Sequence, residues 1–185
     1  MKKSAVVFLF FFLFPLLVYS QCTKDNYSGL SYPDSFDGWI RGDIKDLEAK
    51  NPGYGTMADY DLNKLHVTLY FYNEGLSSID FSNVEDNYKN FCLEVKKFES
   101  QGIYSNVVAP VKLPDLVIND DVKVLNAYFE FTYKGNSYGS FYFNTAMKNH
   151  FVKVRFSMPV SLLEEKKSTV NDFVKELYKR IIECD

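Results

Sequence analysis

The 185-residue chain is poor in the side chains that most often do chemistry. It has two histidines, His66 and His150, and neither stands at a metal-ligand spacing from the other or from a cysteine pair. No histidine, serine and acid, and no cysteine and histidine, fall into a pattern that marks a nucleophile. The nine glycines are scattered at turns rather than gathered into a phosphate-cradling loop. A basic stripe is missing too. Without the first twenty residues, which hold Lys2 and Lys3 and no acid, the chain carries 19 basic and 24 acidic groups, a net charge of −5. Such a chain has nothing to meet nucleic-acid phosphates and no polybasic patch for an anionic membrane. Paired carboxylates such as Asp120–Asp121 and Glu164–Glu165 are expected in polar turns, as solvated charge is. No cofactor and no metal is implied.

A long apolar run occurs once, at the start. Met1-Lys2-Lys3 is followed by AVVFLFFFLFPLLV, and Val18 and Ser20 then occupy the −3 and −1 positions of a small-residue cleavage site. This predicts a secretory signal peptide over residues 1–20, cleaved after Ser20. The run contains Pro15 and is shorter than the roughly 20 apolar residues a membrane span needs. The four residues ending in Cys22, YSQC, lack the Leu and small residue expected before a lipidated cysteine. The expectation is a single domain over 21–185, periplasmic or secreted, with no stable membrane insertion after cleavage.

Three cysteines remain in that domain, in a compartment that permits disulfides. A bridge between Cys22 and Cys184, at the two ends of the mature chain, is one pairing and leaves Cys92 free. Reduced cysteines, or Cys92 as a partner, are the others.

Hydrophobic periodicity orders the rest. After a Ser, Asp and Gly-rich lead-in, Trp39–Ala49 and Tyr54–Asp61 read as strands separated by a turn at Asn51–Gly53. The stretch HVTLYFYNEG (His66–Gly75) is the most strongly patterned. Leu65, Val67, Leu69 and Phe71 point one way; His66, Thr68, Tyr70 and Tyr72 point the other. Ser82 and Glu85 stand as a capping box. Behind them Val84, Tyr88, Phe91, Cys92, Val95 and Phe98 recur at helical spacing, so Asn83–Gln101 is an expected amphipathic helix. Strands follow at Val111–Asn119, within the alternating stretch Val122–Asn136, at Tyr138–Ala146 after a turn over Lys134–Ser137, and at Phe151–Pro159. A second amphipathic helix begins at Ser168, with Val170, Phe173, Val174, Leu177, Ile181 and Ile182 as its apolar stripe. The expected fold is α+β: a single antiparallel sheet of about six to seven strands packed with two amphipathic helices.

The segments GWIRGDIKDLEAKNPGYGTMADYD, HVTLYFYNEGLSSI with the helix after it, and HFVKVRFSMP resemble an uncharacterised group of secreted bacterial proteins. The matching features are Gly38, Arg41, the Pro52-Gly53-Tyr54-Gly55 turn, the Tyr-x-Tyr-x-x-Gly run ending at Gly75, and the Phe-Val-Lys-Val-Arg strand. More distantly, the order of elements is similar to the PsbP-type fold. That resemblance implies accessory and assembly roles rather than catalysis.

One constellation stands out. The polar faces of neighbouring strands carry Tyr70, Tyr72, Tyr128, Glu130, Lys153 and Arg155, a mixed aromatic and charged set of the kind that anchors interfaces. If the strands share a face, this is a platform for a partner. The reading that follows is an exported, non-catalytic accessory protein holding an envelope protein or a small ligand. The alternatives are a small-ligand carrier with a cavity between sheet and helix, and a hydrolase, in which His66 or His150 meets a carboxylate and a hydroxyl in a deep pocket. Cross-strand pairing beneath a helix accounts for the same residues without any function.

Overall fold

The computed structural model describes residues 21–63, 65–119 and 121–184. The expected signal peptide, residues 1–20, lies outside the described residues. In chain order, β1 (Cys22–Lys24) and β2 (Ser31–Pro33) pair as a short antiparallel ribbon within the stretch that reads as an irregular lead-in. Eight strands then build one sheet: β3 (Ser35–Phe36), β4 (Trp39–Asp46), β5 (Thr56–Leu62), β6 (Leu65–Tyr72), β7 (Ser105–Asn119), β8 (Val122–Tyr133), β9 (Asn136–Met147) and β10 (His150–Pro159). They lie in the order β3-β4-β5-β6-β10-β9-β8-β7, and all pairs are antiparallel. Two-residue β3 is the strand beyond the seven that hydrophobic alternation marks.

The sheet is two meanders, β3–β6 and β7–β10, joined where β10 pairs with β6. Tight turns make the meanders. Phe36 pairs with Trp39, Tyr133 with Asn136, and Met147 with His150, each across a two-residue loop. Both loop residues have positive φ in every case: Asp37 and Gly38, Lys134 and Gly135, Lys148 and Asn149. That backbone matches the right-handed twist of the flanking strands. Helix α1 (Phe81–Ser100) carries the chain from the central β6 to the far edge at β7. Helix α2 (Leu163–Glu183) follows β10 through a single 3-10 turn, Val160–Leu162.

The helices cover opposite faces of the sheet. On one, Val84, Phe91 and Val95 of α1 pack with Leu125, Ala127, Phe129, Tyr142 and Phe151. On the other, Val170, Phe173, Leu177 and Ile181 of α2 pack with Val67, Leu69, Phe71, Val152, Val154 and Phe156. Trp39, Phe156 and Phe173 form an aromatic knot there, with Trp39 and Phe173 centroids 4.3 Å apart. Arrays of this kind dominate core energetics because each ring buries a large apolar area. Tyr70 and Tyr72 therefore face α1, and their strand neighbours face α2.

Of the boundaries that differ from the sequence reading, three have a clear local reason. Helix α1 begins at Phe81 and is capped by Asp80, not Ser82. The Asp80 carboxylate accepts from the Ser82 and Asn83 amides, and Asn83 Oδ1 accepts from the Asp80 amide at 2.9 Å. Ile79 and Val84, buried in one cluster, occupy the positions of a hydrophobic staple. Helix α2 begins at Leu163, five residues before Ser168, with Glu164 and Glu165 in its first turn where the helix dipole favours them. Strand β7 begins at Ser105 and tolerates Pro110 and Pro114 because it is an edge.

The two ends of the described chain are tied. Cys22 in β1 and Cys184 after α2 are disulfide-bonded, with Cα atoms 6.2 Å apart. Cys92 is a free thiol, half-buried on α1.

Candidate functional site

The register of β6, β10 and β9 determines which polar side chains meet. Lys153 stands opposite Tyr70 on one side and Asn144 on the other. Phe151 stands opposite Tyr72. Residues opposite or diagonal on one face touch across a pair of strands. The Lys153 ammonium accordingly lies 4.5 Å from the Tyr70 ring centroid and 4.7 Å from that of Tyr72. Among the described residues it has no hydrogen bond and no ion pair.

Lys153 is at the base of a pocket of about 540 Å³. Tyr70, Tyr72 and Lys153 come from the sheet, Asn90 and Glu94 from one side of α1, and Pro52, Gly53 and Tyr54 from the turn between β4 and β5. Leu47 and Glu74 complete the lining. The pocket thus opens where α1 leaves the sheet face and the turn closes the gap. The turn is held in place by backbone and by Glu48, whose Oε2 accepts from the amides of Gly53 (2.8 Å) and Gly55 (3.0 Å). Gly53 O in turn accepts from the Glu74 amide at 2.8 Å. Gly55 has φ +59, and a Cβ there would overlap the Phe71 carbonyl oxygen.

Beneath the pocket is a buried polar knot centred on Asn87. Its Oδ1 accepts from Tyr72 OH (2.7 Å), Tyr142 OH (2.8 Å) and Asn144 Nδ2 (2.9 Å). Its Nδ2 donates to Glu74 Oε1 at 2.7 Å. Buried polar groups are stable only when partnered in this way. The knot fixes the Tyr72 ring and ties Glu74 at the rim to α1.

Burial pushes the Lys153 amine down to about 8, with Arg155 adding to the effect while Glu94 and Glu74 oppose it. Burial also raises Glu74, helped by Glu94 and opposed by Lys153 and Asn87. At neutral pH the site therefore holds an ammonium at its base.

Of the six side chains expected to form a platform, the structure brings three into this pocket: Tyr70, Tyr72 and Lys153. Arg155 shares their face but is engaged elsewhere. Its Nε donates to Ser140 Oγ at 3.2 Å and its Nη2 to Tyr104 OH at 3.1 Å, over the rings of Phe129 and Phe131. Tyr128 and Glu130 lie on the opposite face, the one α2 covers. Lys153 pairs with Asn144 and Asn144 with Leu125, so the odd-numbered residues of β8 face α1 and the even-numbered ones face α2. Tyr128 packs on Phe141, and its hydroxyl donates to Glu130 Oε1 at 2.7 Å.

The polar and aromatic pocket residues that sequence reasoning missed are Tyr54, Glu74, Asn90 and Glu94, with Asn87 beneath them. Asn87 carried a readable signal: a polar residue within the apolar stripe, three after Val84 and four before Phe91.

His66 lies outside this pocket. Its Nδ1 is 2.8 Å from Asp61 Oδ1 and its Nε2 is 3.4 Å from Thr68 Oγ1, on the open side of β5 and β6. Thr68 donates its hydroxyl to Asp59 instead, at 2.9 Å. The string Gly135-Asn136-Ser137-Tyr138-Gly139 reads Gly-x-Ser-x-Gly. It forms a β-hairpin rather than the strand-to-helix elbow that exposes a nucleophile. Among the described residues there is no cluster of three or more metal-ligating side chains, and no helix is long and apolar enough to cross a membrane.

The fold is PsbP-like. Solved structures with significant similarity include cyanobacterial PsbP (CyanoP) from Synechocystis sp. PCC 6803, at TM-score 0.53 and 16% identity over 85% of this chain and 89% of that one. The PA94 protein of Pseudomonas aeruginosa, at 8% identity over 84% and 93% of the chains, has a TM-score of 0.38. No protein-family model matches the chain. No curated protein matches it significantly.

Proposed function

We propose that this is an exported, non-catalytic binding protein whose working site is the Lys153 pocket. The observation that carries the reading is an ammonium set between two tyrosine faces with no anion of its own, open to a pocket of about 540 Å³. A half-buried cation that makes no ion pair favours a partner that brings an anionic group against it. The volume lies in the range of small-ligand sites. The aromatic face is recessed between sheet, helix and turn, which favours a ligand carrier over a flat platform for a protein.

Support for the rest is of three kinds. The PsbP-like fold is consistent with an accessory role, though fold alone does not confer function. The N-terminal sequence supports export, and the Cys22–Cys184 bond suits an oxidising compartment. Against a hydrolase, His66 lies on an open surface and Thr68 is already bonded to Asp59.

Native mass spectrometry of the oxidised 21–185 protein, equilibrated with an envelope extract, tests the reading. Tyr54→Ala with Glu94→Gln is the comparison, because both side chains line the pocket from exposed positions. A small molecule retained by the wild type and lost by the folded double variant is expected. Equal retention by both would move the site elsewhere.

A further inference from the structure

We infer that the pocket takes a small zwitterion of the amino-acid type: its carboxylate on Lys153, its ammonium on Glu94, and an apolar side chain against Leu47, Pro52 and Tyr54. This rests on reading the pocket as the working site.

The charges argue for one group of each sign. Lys153 at the base lies against the Tyr70 and Tyr72 rings and makes no ion pair among the described residues, so it can take an anionic group. Glu74 and Glu94 line the same pocket, and like charges disfavour a multiply charged anion such as phosphate. A simple cation would meet Lys153. A ligand carrying a carboxylate and an ammonium a few bonds apart satisfies both ends at once.

The two glutamates are not equivalent. Glu74 Oε1 accepts from Asn87 Nδ2, whereas Glu94 is exposed and has no hydrogen bond or ion pair among the described residues. Glu94 is therefore the free acceptor for an ammonium, with the Asn90 amide one turn before it on α1. The remaining wall is apolar. Tyr54 is 61% exposed and stands beside Pro52 and Leu47, which gives a side chain somewhere to lie.

Calorimetric titration of the oxidised 21–185 protein separates the two ends. The probes are phenylalanine, phenylalaninamide, which lacks the carboxylate, and N-acetylphenylalanine, which lacks the ammonium. Phenylalanine is expected to bind about tenfold or more tightly than either analogue, as unpaired polar groups in a site discriminate strongly. Lys153→Met should abolish the difference between acid and amide. Glu94→Gln should abolish the difference between free and acetylated amine, and this exposed change leaves the fold intact. Analogues that bind as tightly as phenylalanine, yet are weakened by Tyr54→Ala, would overturn the zwitterion and leave the pocket standing. No binding of any probe at millimolar concentration overturns the zwitterion outright. The pocket reading itself falls separately, if the Tyr54→Ala/Glu94→Gln protein keeps the molecule the wild type takes from extract.

Discussion

Lys153 and Tyr70 stand directly opposite each other across the β10–β6 pair, and the ammonium sits 4.5 Å from the centre of the ring. The pairing places a half-buried cation where no carboxylate forms an ion pair with it among the described residues. Burial brings its pKa from the ordinary 10.5 to about 8. Since the folded value is the lower one, the unfolded chain binds more protons between about pH 8 and 10.5. Stability from this group therefore rises with pH through that window. Below it, the amine is charged in both states and the burial cost stands in full. Urea unfolding of wild type and Lys153→Met at about pH 7 and about pH 10 checks this, because other titrating groups cancel in the difference. The difference is expected to move in favour of the wild type at the higher pH. A flat difference would show that the amine is better solvated than its position implies.

Asn87 is the second dependence. Replacing it with Leu leaves Tyr72 OH and Tyr142 OH without their acceptor and Glu74 without its donor. Buried groups stripped of partners cost about 1–3 kcal/mol each, so a loss of roughly 3 kcal/mol is expected. Asn90→Ala, one turn along on the exposed side, should stay within about 0.5 kcal/mol of wild type. Equal effects in denaturant unfolding would mean that the knot does not anchor the site.

Much of the architecture is legible in the residues because alternation and helical spacing are set by burial on one face. Leu65, Val67, Leu69 and Phe71 all face α2, and the odd residues of β8 from Leu125 to Phe131 all lie under α1. What alternation cannot reveal is which phase of one strand shares a face with which phase of another. That parity depends on register through β9. The step from Lys153 to Asn144 to Leu125 puts Tyr128 and Glu130 behind the sheet. Tyr128→Phe, which removes only the hydroxyl bonded to Glu130, should therefore leave pocket binding unchanged. The pocket rim was hidden for a different reason. Pro52–Tyr54, Glu74 and Glu94 come from a turn, a strand end and a helix that are distant in sequence and meet only through tertiary packing. The turn at Asn51–Gly53 reads in the sequence only as a connection between strands, yet Pro52 and Gly53 line the pocket.

Two glycines near that turn differ in kind. Gly55 and Gly75 both have positive φ, +59 and +77. A Cβ at Gly75 meets open space, so Gly75→Ala should cost only the strained backbone, about 1 kcal/mol. A Cβ at Gly55 runs into the Phe71 carbonyl of β6, so Gly55→Ala must also displace the turn from the strand. About 3 kcal/mol or more is expected, together with weaker binding in the pocket, since Pro52 and Tyr54 move with the turn. Denaturant unfolding of the two variants side by side checks this. Similar costs would show that the turn does not rest on β6 as described.

The Cys22–Cys184 bond joins positions 162 residues apart and closes nearly the whole described chain into one loop. In the chain-entropy account a loop of that length stabilises by up to about 5 kcal/mol, through restriction of the unfolded ensemble. The bond also holds β1, and with it the β1–β2 ribbon, against the end of α2, where Ser31 Oγ donates to Cys184 O at 3.4 Å. Cys22→Ser with Cys184→Ser is therefore expected to lower the unfolding free energy by several kcal/mol, while Cys92→Ser changes it by less than about 1 kcal/mol. The pocket lies on the other face of the sheet from α2, so ligand affinity in the still-folded double variant should match wild type. Calorimetry and unfolding on the same preparations separate the two quantities. Lost affinity with stability retained would mean that the terminal tie shapes the site rather than merely holding the fold closed.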